Sequence, residues 1–159
     1  MANVQLVGLT DQIGNENFSA NYLGMNKFTA NLTGTVKEIR LRMRGNGNVK
    51  VGIYADSAGS PTTLLASVGS TAVTTGINTI TIANVNIVKG VAYWLAMNTD
   101  VANTIGQISS GGTQLYIALT FALSFPNPAG AGYTPNTTTL VMQGWGIETI
   151  GGAFLLNFV

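Results

Sequence analysis

The chain has 159 residues, enough for one ordinary domain, with 46% apolar residues, only 8% charged ones and a net charge of +1. Apolar content this high with so little charge describes a chain that folds, and its solubility must rest on uncharged polar side chains, above all 20 Thr and 16 Asn. It contains no His and no Cys, which removes most zinc sites, disulfides, Ser-His-Asp and Cys-His nucleophile systems and His-ligated haem; near-neutral charge gives no electrostatic reason to expect nucleic acid.

In chain order, Met1-Ala2-Asn3-Val4-Gln5 lacks the basic and apolar regions of an export signal, and no run approaches the roughly 18 apolar residues of a membrane span. The expectation is no membrane partner, and either a leader already removed or delivery without Sec export, as for a virion protein. Residues 4–9 and 28–32 predict short strands. Over 36–44, Ile39, Leu41 and Met43 alternate with Glu38, Arg40, Arg42 and Arg44, the pattern of a strand with one wet face. Gly45-Asn46-Gly47-Asn48 comes next, and an Asn-Gly pair here predicts a tight hairpin to a partner strand at 49–55. In that partner Val49, Val51 and Ile53 point one way, Lys50, Gly52 and Tyr54 the other.

Residues 56–61 are turn formers, followed by a short strand at 64–66. Further strands are predicted at 76–82, 85–88, 91–99, 114–123, 138–147 and 153–159, each bounded by Gly, Asn or Asp. The Pro- and Gly-rich stretch 125–135 reads as one long loop. Short strands at this spacing predict an all-β antiparallel sandwich or barrel, of which we favour a two-sheet β-sandwich spanning 1–159 as a single domain. Residues 91–97 and 115–121 are apolar on both faces. Either loops cover the second face or another subunit does, and the low charge gives weight to the subunit.

The segments Phe28-Thr29-Ala30, Gly34-Thr35-Val36, Val49-Lys50-Val51-Gly52-Ile53-Tyr54-Ala55-Asp56, Gly59-Ser60-Pro61 with Leu64-Leu65, Gly76-Ile77-Asn78-Thr79-Ile80-Thr81 and Gly90-Val91-Ala92-Tyr93-Trp94-Leu95-Ala96 succeed one another in a fixed order. Together they resemble a jelly-roll β-sandwich module of phage and prophage structural proteins and bacterial surface proteins, over about residues 28–99. The resemblance implies a jelly-roll-like fold, a role in capsid decoration, fibres or glycan binding, and an oligomer, commonly a trimer. Ile77 stands where the family usually has Trp, which takes away one aromatic ring that could serve a ligand.

Three groups of residues are candidate sites, none of them catalytic. The basic row Lys37, Arg40, Arg42 and Arg44, with Lys50 across the expected hairpin, can meet an anionic partner or simply be a solvated strand face. Trp145 between two glycines, Tyr133 in the long loop and Tyr116 are the aromatics placed to stack a sugar; Tyr22 is a further candidate, and Trp94 reads as core. The uncharged terminal strand with Phe154, Leu155, Leu156 and Phe158 either completes a sheet or adds to a neighbour's sheet, a role for which the N-terminal strand at 4–9 is the alternative. No cofactor and no metal are expected. Calcium is the one ion with candidate oxygen ligands, in Asp11, Asn15, Glu16 and Asn17 or in Asp56 and Asp100, which otherwise read as turn formers. The same Asp56 and Asp100 are the pair a small glycosidase would need.

The expected function is therefore a non-enzymatic virion or surface structural protein, a capsid decoration, tail or fibre component. It would self-assemble through apolar sheet faces as a trimer or polymer, together with other virion or surface proteins. The alternative is an extracellular carbohydrate-binding module that takes glycans on exposed aromatics.

Overall fold

The computed structural model describes residues 2–10, 16–102, 105–108 and 111–150. Along them run β1 (Asn3–Gly8), β2 (Glu16–Asn17), β3 (Tyr22–Thr29), β4 (Gly34–Met43), β5 (Gly47–Ser57), β6 (Ser60–Val73), β7 (Gly76–Ile87), β8 (Ala92–Thr99), β9 (Gly106–Ile108), β10 (Gln114–Ala118), β11 (Thr134–Asn136), β12 (Thr139–Leu140) and β13 (Met142–Glu148). One sheet has the order β1-β13-β4-β7 and the other β11-β10-β3-β8-β5-β6, with a small sheet β12-β9-β2 beside them. Every pairing among these strands is antiparallel. The protein is an all-β two-sheet sandwich.

Period-2 alternation builds the core. Leu6, Val36, Ile39, Leu41 and Met43 from the first sheet meet Val49, Val51, Ile53, Leu95 and Met97 from the second, and Ile80 and Ile82 of β7 close one side. This pattern also corrects the hairpin expected at Asn46-Gly47. β4 pairs with β13 and β7, whereas β5 pairs with β6 and β8. Residues 44–46 are a corner that carries the chain from one sheet to the other, so the alternating apolar residues of 36–44 and 49–55 face each other across the core instead of lying side by side. The Asn46 side chain braces a second corner, accepting from the Thr75 N–H at 3.3 Å.

The tight hairpin lies one strand later. Ser57 and Ser60 are paired, and between them Ala58 and Gly59 have φ of 49° and 83°, two successive positive values that match the twist of the flanking strands. Asp56 Oδ2 accepts the Gly59 N–H at 3.2 Å. Beyond the hairpin the chain forms no short strand at 64–66 but the whole of β6. Likewise 76–82 and 85–88 are one strand, β7, with a shift in register opposite Val36 and Glu38. The stretch 114–123 forms a strand only to Ala118, and 138–147 is split at Val141. Residues 153–159 lie outside the described residues.

The second apolar face of the larger sheet is covered from within the chain. Residues 119–133 cross the outer side of β3, β8 and β5, where Phe125 and Ala129 join Leu23, Met25, Tyr54, Trp94 and Ala96 in a buried cluster flanked by Leu115, Ile117 and Tyr133. On this face the expected second subunit is replaced by the long loop. Its seat on β5 depends on Gly52, where a Cβ would stand 3.0 Å from the Phe125 ring.

Candidate functional site

Directly opposed residues of antiparallel strands share a face, so the outer side of the smaller sheet carries side chains in rows. Gln5, Trp145, Glu38 and Thr81 make one row, Gln143, Arg40 and Thr79 the next, Arg42 and Ile77 the last. Hydrogen bonds tie these rows together. Arg40 donates to Glu38 Oε1 from Nε at 2.8 Å, and its Nη2 stands 2.6 Å from the same oxygen. Asn3 Nδ2 donates to that oxygen at 2.9 Å, and Trp145 Nε1 donates to Gln143 Oε1 at 2.6 Å. The Arg40 guanidinium lies 3.9 Å from the centroid of the Trp145 ring, a cation–π contact. One face of the ring is thus taken by Arg40, whose charge is already matched by Glu38.

The basic row does not exist as one patch. Arg40 and Arg42 sit on this outer face and Arg44 lies exposed just past the end of β4. Lys50 belongs to the other sheet, because β4 and β5 form no hairpin. There it fastens the covering loop: Nζ donates to Leu123 O at 3.0 Å and to Phe121 O, and stands over the Phe121 ring.

The other aromatic candidates are held inside the fold. Tyr133 is half-buried against the loop cluster, its hydroxyl donating to Ala129 O, and burial raises the pKa of its phenol. Tyr116 faces the opposite way on β10 and meets Tyr22 edge-on at 6.0 Å. Trp94 is fully buried and donates from Nε1 to Asp56 Oδ1 at 2.7 Å. Trp145, Tyr133 and Tyr116 therefore occupy three separate places and line no common groove.

Asp56 and Asp100 are also kept apart. Asp100 binds Asn48 at the start of β5, accepting from its N–H at 2.8 Å and its Nδ2 at 2.7 Å. Asp56 stands eight residues further along that strand, about 26 Å at the usual rise of a strand, where two-carboxylate glycoside hydrolysis needs roughly 5–10 Å. Burial pushes the Asp100 carboxyl up, and the Asn48 and backbone N–H groups more than offset this, holding it below its ordinary 3.8. Asp11, Asn15 and the side chains of Glu16 and Asn17 lie outside the described part of the structure, as do Phe154, Leu155, Leu156 and Phe158.

Among the expected sites only the N-terminal strand at 4–9 belongs to the outer strands of the two large sheets, whose backbone groups face away from the fold. These are β1, β7, β11 and β6. Each of them carries a device that blunts an edge over at least part of its length. β1 is short, with a register shift between Gln5 and Val7 and the Gln5 side chain turned back to Gly8 O at 3.0 Å. β11 has three residues, one of them Pro135. β6 is bulged between Val68 and Thr71, and the long loop occupies its first half, with Ala129 N donating to Thr62 O at 2.8 Å and Leu64 N to Asn127 Oδ1 at 3.1 Å. β7 is bulged as well, between Thr81 and Val85, but from Gly76 to Thr81 it runs in regular register and nothing covers it among the described residues. Its outward row is Ile77, Thr79 and Thr81, with Ile77 54% exposed.

The chain was compared with family models, with curated proteins and with solved structures, and no match was found in any of the three.

Proposed function

We propose that the chain is a non-enzymatic structural subunit of a virion or of a cell-surface assembly, a decoration, tail or fibre component built on a jelly-roll winding. The observation that carries this reading is the path of the strands. The eight strands of six or more residues visit the sheets in alternation: β1, β4, β7 and β13 in one, β3, β5, β6 and β8 in the other, with only β5 and β6 consecutive in the same sheet. Two facing four-strand sets wound in this way are the plan of a jelly roll, an architecture that recurs in viral capsids and lectins. The resemblance over residues 28–99 supports the same winding from the sequence side. Fold alone does not set function, so the reading also rests on the surface. Asp56 and Asp100 stand too far apart to act on one bond, and the long loop seals the apolar face that a ligand pocket would otherwise use.

The carbohydrate-binding alternative draws less support, because the Arg40 guanidinium takes one face of the Trp145 ring and Tyr133 is packed against the loop cluster. Self-association is the property that separates the two. Static light scattering across a range of concentrations is expected to give a mass above the 16.5 kDa of one chain. A single-chain mass at the highest concentration reached, together with binding of an oligosaccharide, would move the assignment to the alternative.

A further inference from the structure

We propose that the open edge of β7 is an assembly surface whose partner is the β7 edge of a second copy of this chain, paired antiparallel about a two-fold axis at Thr79. This rests on the reading of the chain as a self-assembling subunit and names the surface and register it uses.

The β7 edge is open because of where its backbone groups point. Arg42 N–H donates to Val141 O on the β13 side of β4. N–H and C=O alternate sides along a strand, so Arg42, Arg40 and Glu38 turn theirs toward β13, and Met43, Leu41 and Ile39 turn theirs toward β7. The β7 residues opposite Met43, Leu41 and Ile39 are Gly76, Asn78 and Ile80; these use their backbone groups within the sheet. Ile77, Thr79 and Thr81 are left with N–H and C=O aimed outward, and among the described residues no backbone hydrogen bond reaches them from outside the sheet. Unpaired edge groups of this kind are a template for another strand.

The row fits its own copy. With the axis at Thr79, that residue meets Thr79 of the second copy, and Ile77 meets Thr81 twice over. Each pair exchanges two backbone hydrogen bonds, about six in all. The side chains of the same residues lie on the outer face, where Thr beside Thr and Ile beside Thr are favourable cross-strand neighbours. No charged residue occurs from Ser57 to Val88, so nothing on β6 or β7 repels an identical edge. The contact would join two four-stranded sheets into one continuous sheet. Because it is isologous it closes as a dimer, and assemblies built on it contain an even number of copies, in place of the trimer implied by the resemblance.

Substitutions at the axis test this, because residue 79 there meets itself. Thr79→Lys and Thr79→Glu each place like charges in direct opposition, and neither side chain enters the core. Native mass by light scattering is expected to fall to that of one chain, or by half for a larger assembly, while the far-ultraviolet dichroism and melting of each variant stay those of a folded sandwich. Mixing the two variants in equal amounts sets Lys opposite Glu and is expected to restore the wild-type mass, a rescue that general damage to the fold cannot produce. Ser70→Lys on the bulged β6 edge is expected to leave the mass unchanged. The proposal is overturned if Thr79→Lys keeps the wild-type mass, if the mixed variants stay dissociated, if Ser70→Lys is the variant that dissociates, or if the wild type is a trimer. In those cases self-assembly itself stands; a wild type that is monomeric throughout overturns both.

Discussion

Ala58 holds a φ of 49° at the first central position of the β5–β6 hairpin, a conformation that places its Cβ against the following carbonyl and suits Gly or Asn far better. Ala58→Asn is therefore expected to raise stability by about 1 kcal/mol, read as a higher urea midpoint with an unchanged slope. The sequence marks 56–61 as a turn through its Asp, Ser, Gly and Pro, but nothing in it shows that Ala58 takes the left-handed position, while Asn46-Gly47 carries the stronger hairpin signal and is used as a corner. Asn26 is a similar case. It is fully buried in β3, a strand that sequence reading largely missed, and a polar residue beside Lys27 and two places from Gly24 gives no hint of a central position. Its amide is satisfied at both ends: Nδ2 donates to Thr138 O at 2.8 Å and Oδ1 accepts from Leu140 N at 3.0 Å. Asp100 adds a dependence on pH. Its carboxyl is held below the ordinary 3.8 in the folded state, so its contribution is fully present above about pH 4 and is lost as pH falls through the lowered value. Asp100→Asn is expected to flatten the acid limb of a stability–pH curve measured by urea unfolding; a limb of unchanged slope would show that the Asn48 contacts add nothing.

The loop at 119–133 is the element that decides how much apolar surface the molecule shows. Tyr54, fully buried in β5, donates from its hydroxyl to Pro126 O at 2.8 Å, and burial with the neighbouring Tyr133 pushes its phenol far above the ordinary range. Tyr54→Phe leaves that carbonyl without its donor and is expected to cost about 1–2 kcal/mol, with increased binding of an apolar dye if the loop lifts. A variant that unfolds at the wild-type midpoint would mean that the loop is held by its other contacts, those of Phe125, Lys50 and the Thr62 and Leu64 backbone among them. Only its part from 125 on was legible in the sequence as a loop, from its Pro and Gly content, while 119–123 read as the end of a strand. Its function as a cover was not legible, because the same apolar alternation on 91–97 is written whether the second face meets a loop or a subunit. Lys50 illustrates the same limit. In the linear chain it extends the row of Arg40 and Arg42, and only the crossing of the chain between sheets sends it to the other side of the molecule.

At the scale of the whole molecule, the two-sheet sandwich followed from period-2 patterns and turn spacing, since each long strand buries one face whatever its neighbours are. Pairing was harder to read. Which strand lies beside which depends on contacts between residues far apart in the chain, as where β13 inserts between β1 and β4, and no local signal records that. Edge status is a property of this pairing, which is why the open edge of β7 appears only in three dimensions. The segment Ile77-Asn78-Thr79-Ile80-Thr81 reads equally well as an inner strand.

Residue-resolved amide hydrogen exchange at several protein concentrations reads the β7 edge itself, without any substitution. Edge amides exposed to water exchange readily, and pairing protects them. With β7 as the assembly surface, the Ile77, Thr79 and Thr81 amides become protected as concentration rises through the range where the mass increases, while Asn78 and Ile80, already bonded to β4, do not change. Amides at 77, 79 and 81 that stay unprotected in the fully associated protein would place the interface elsewhere on the molecule.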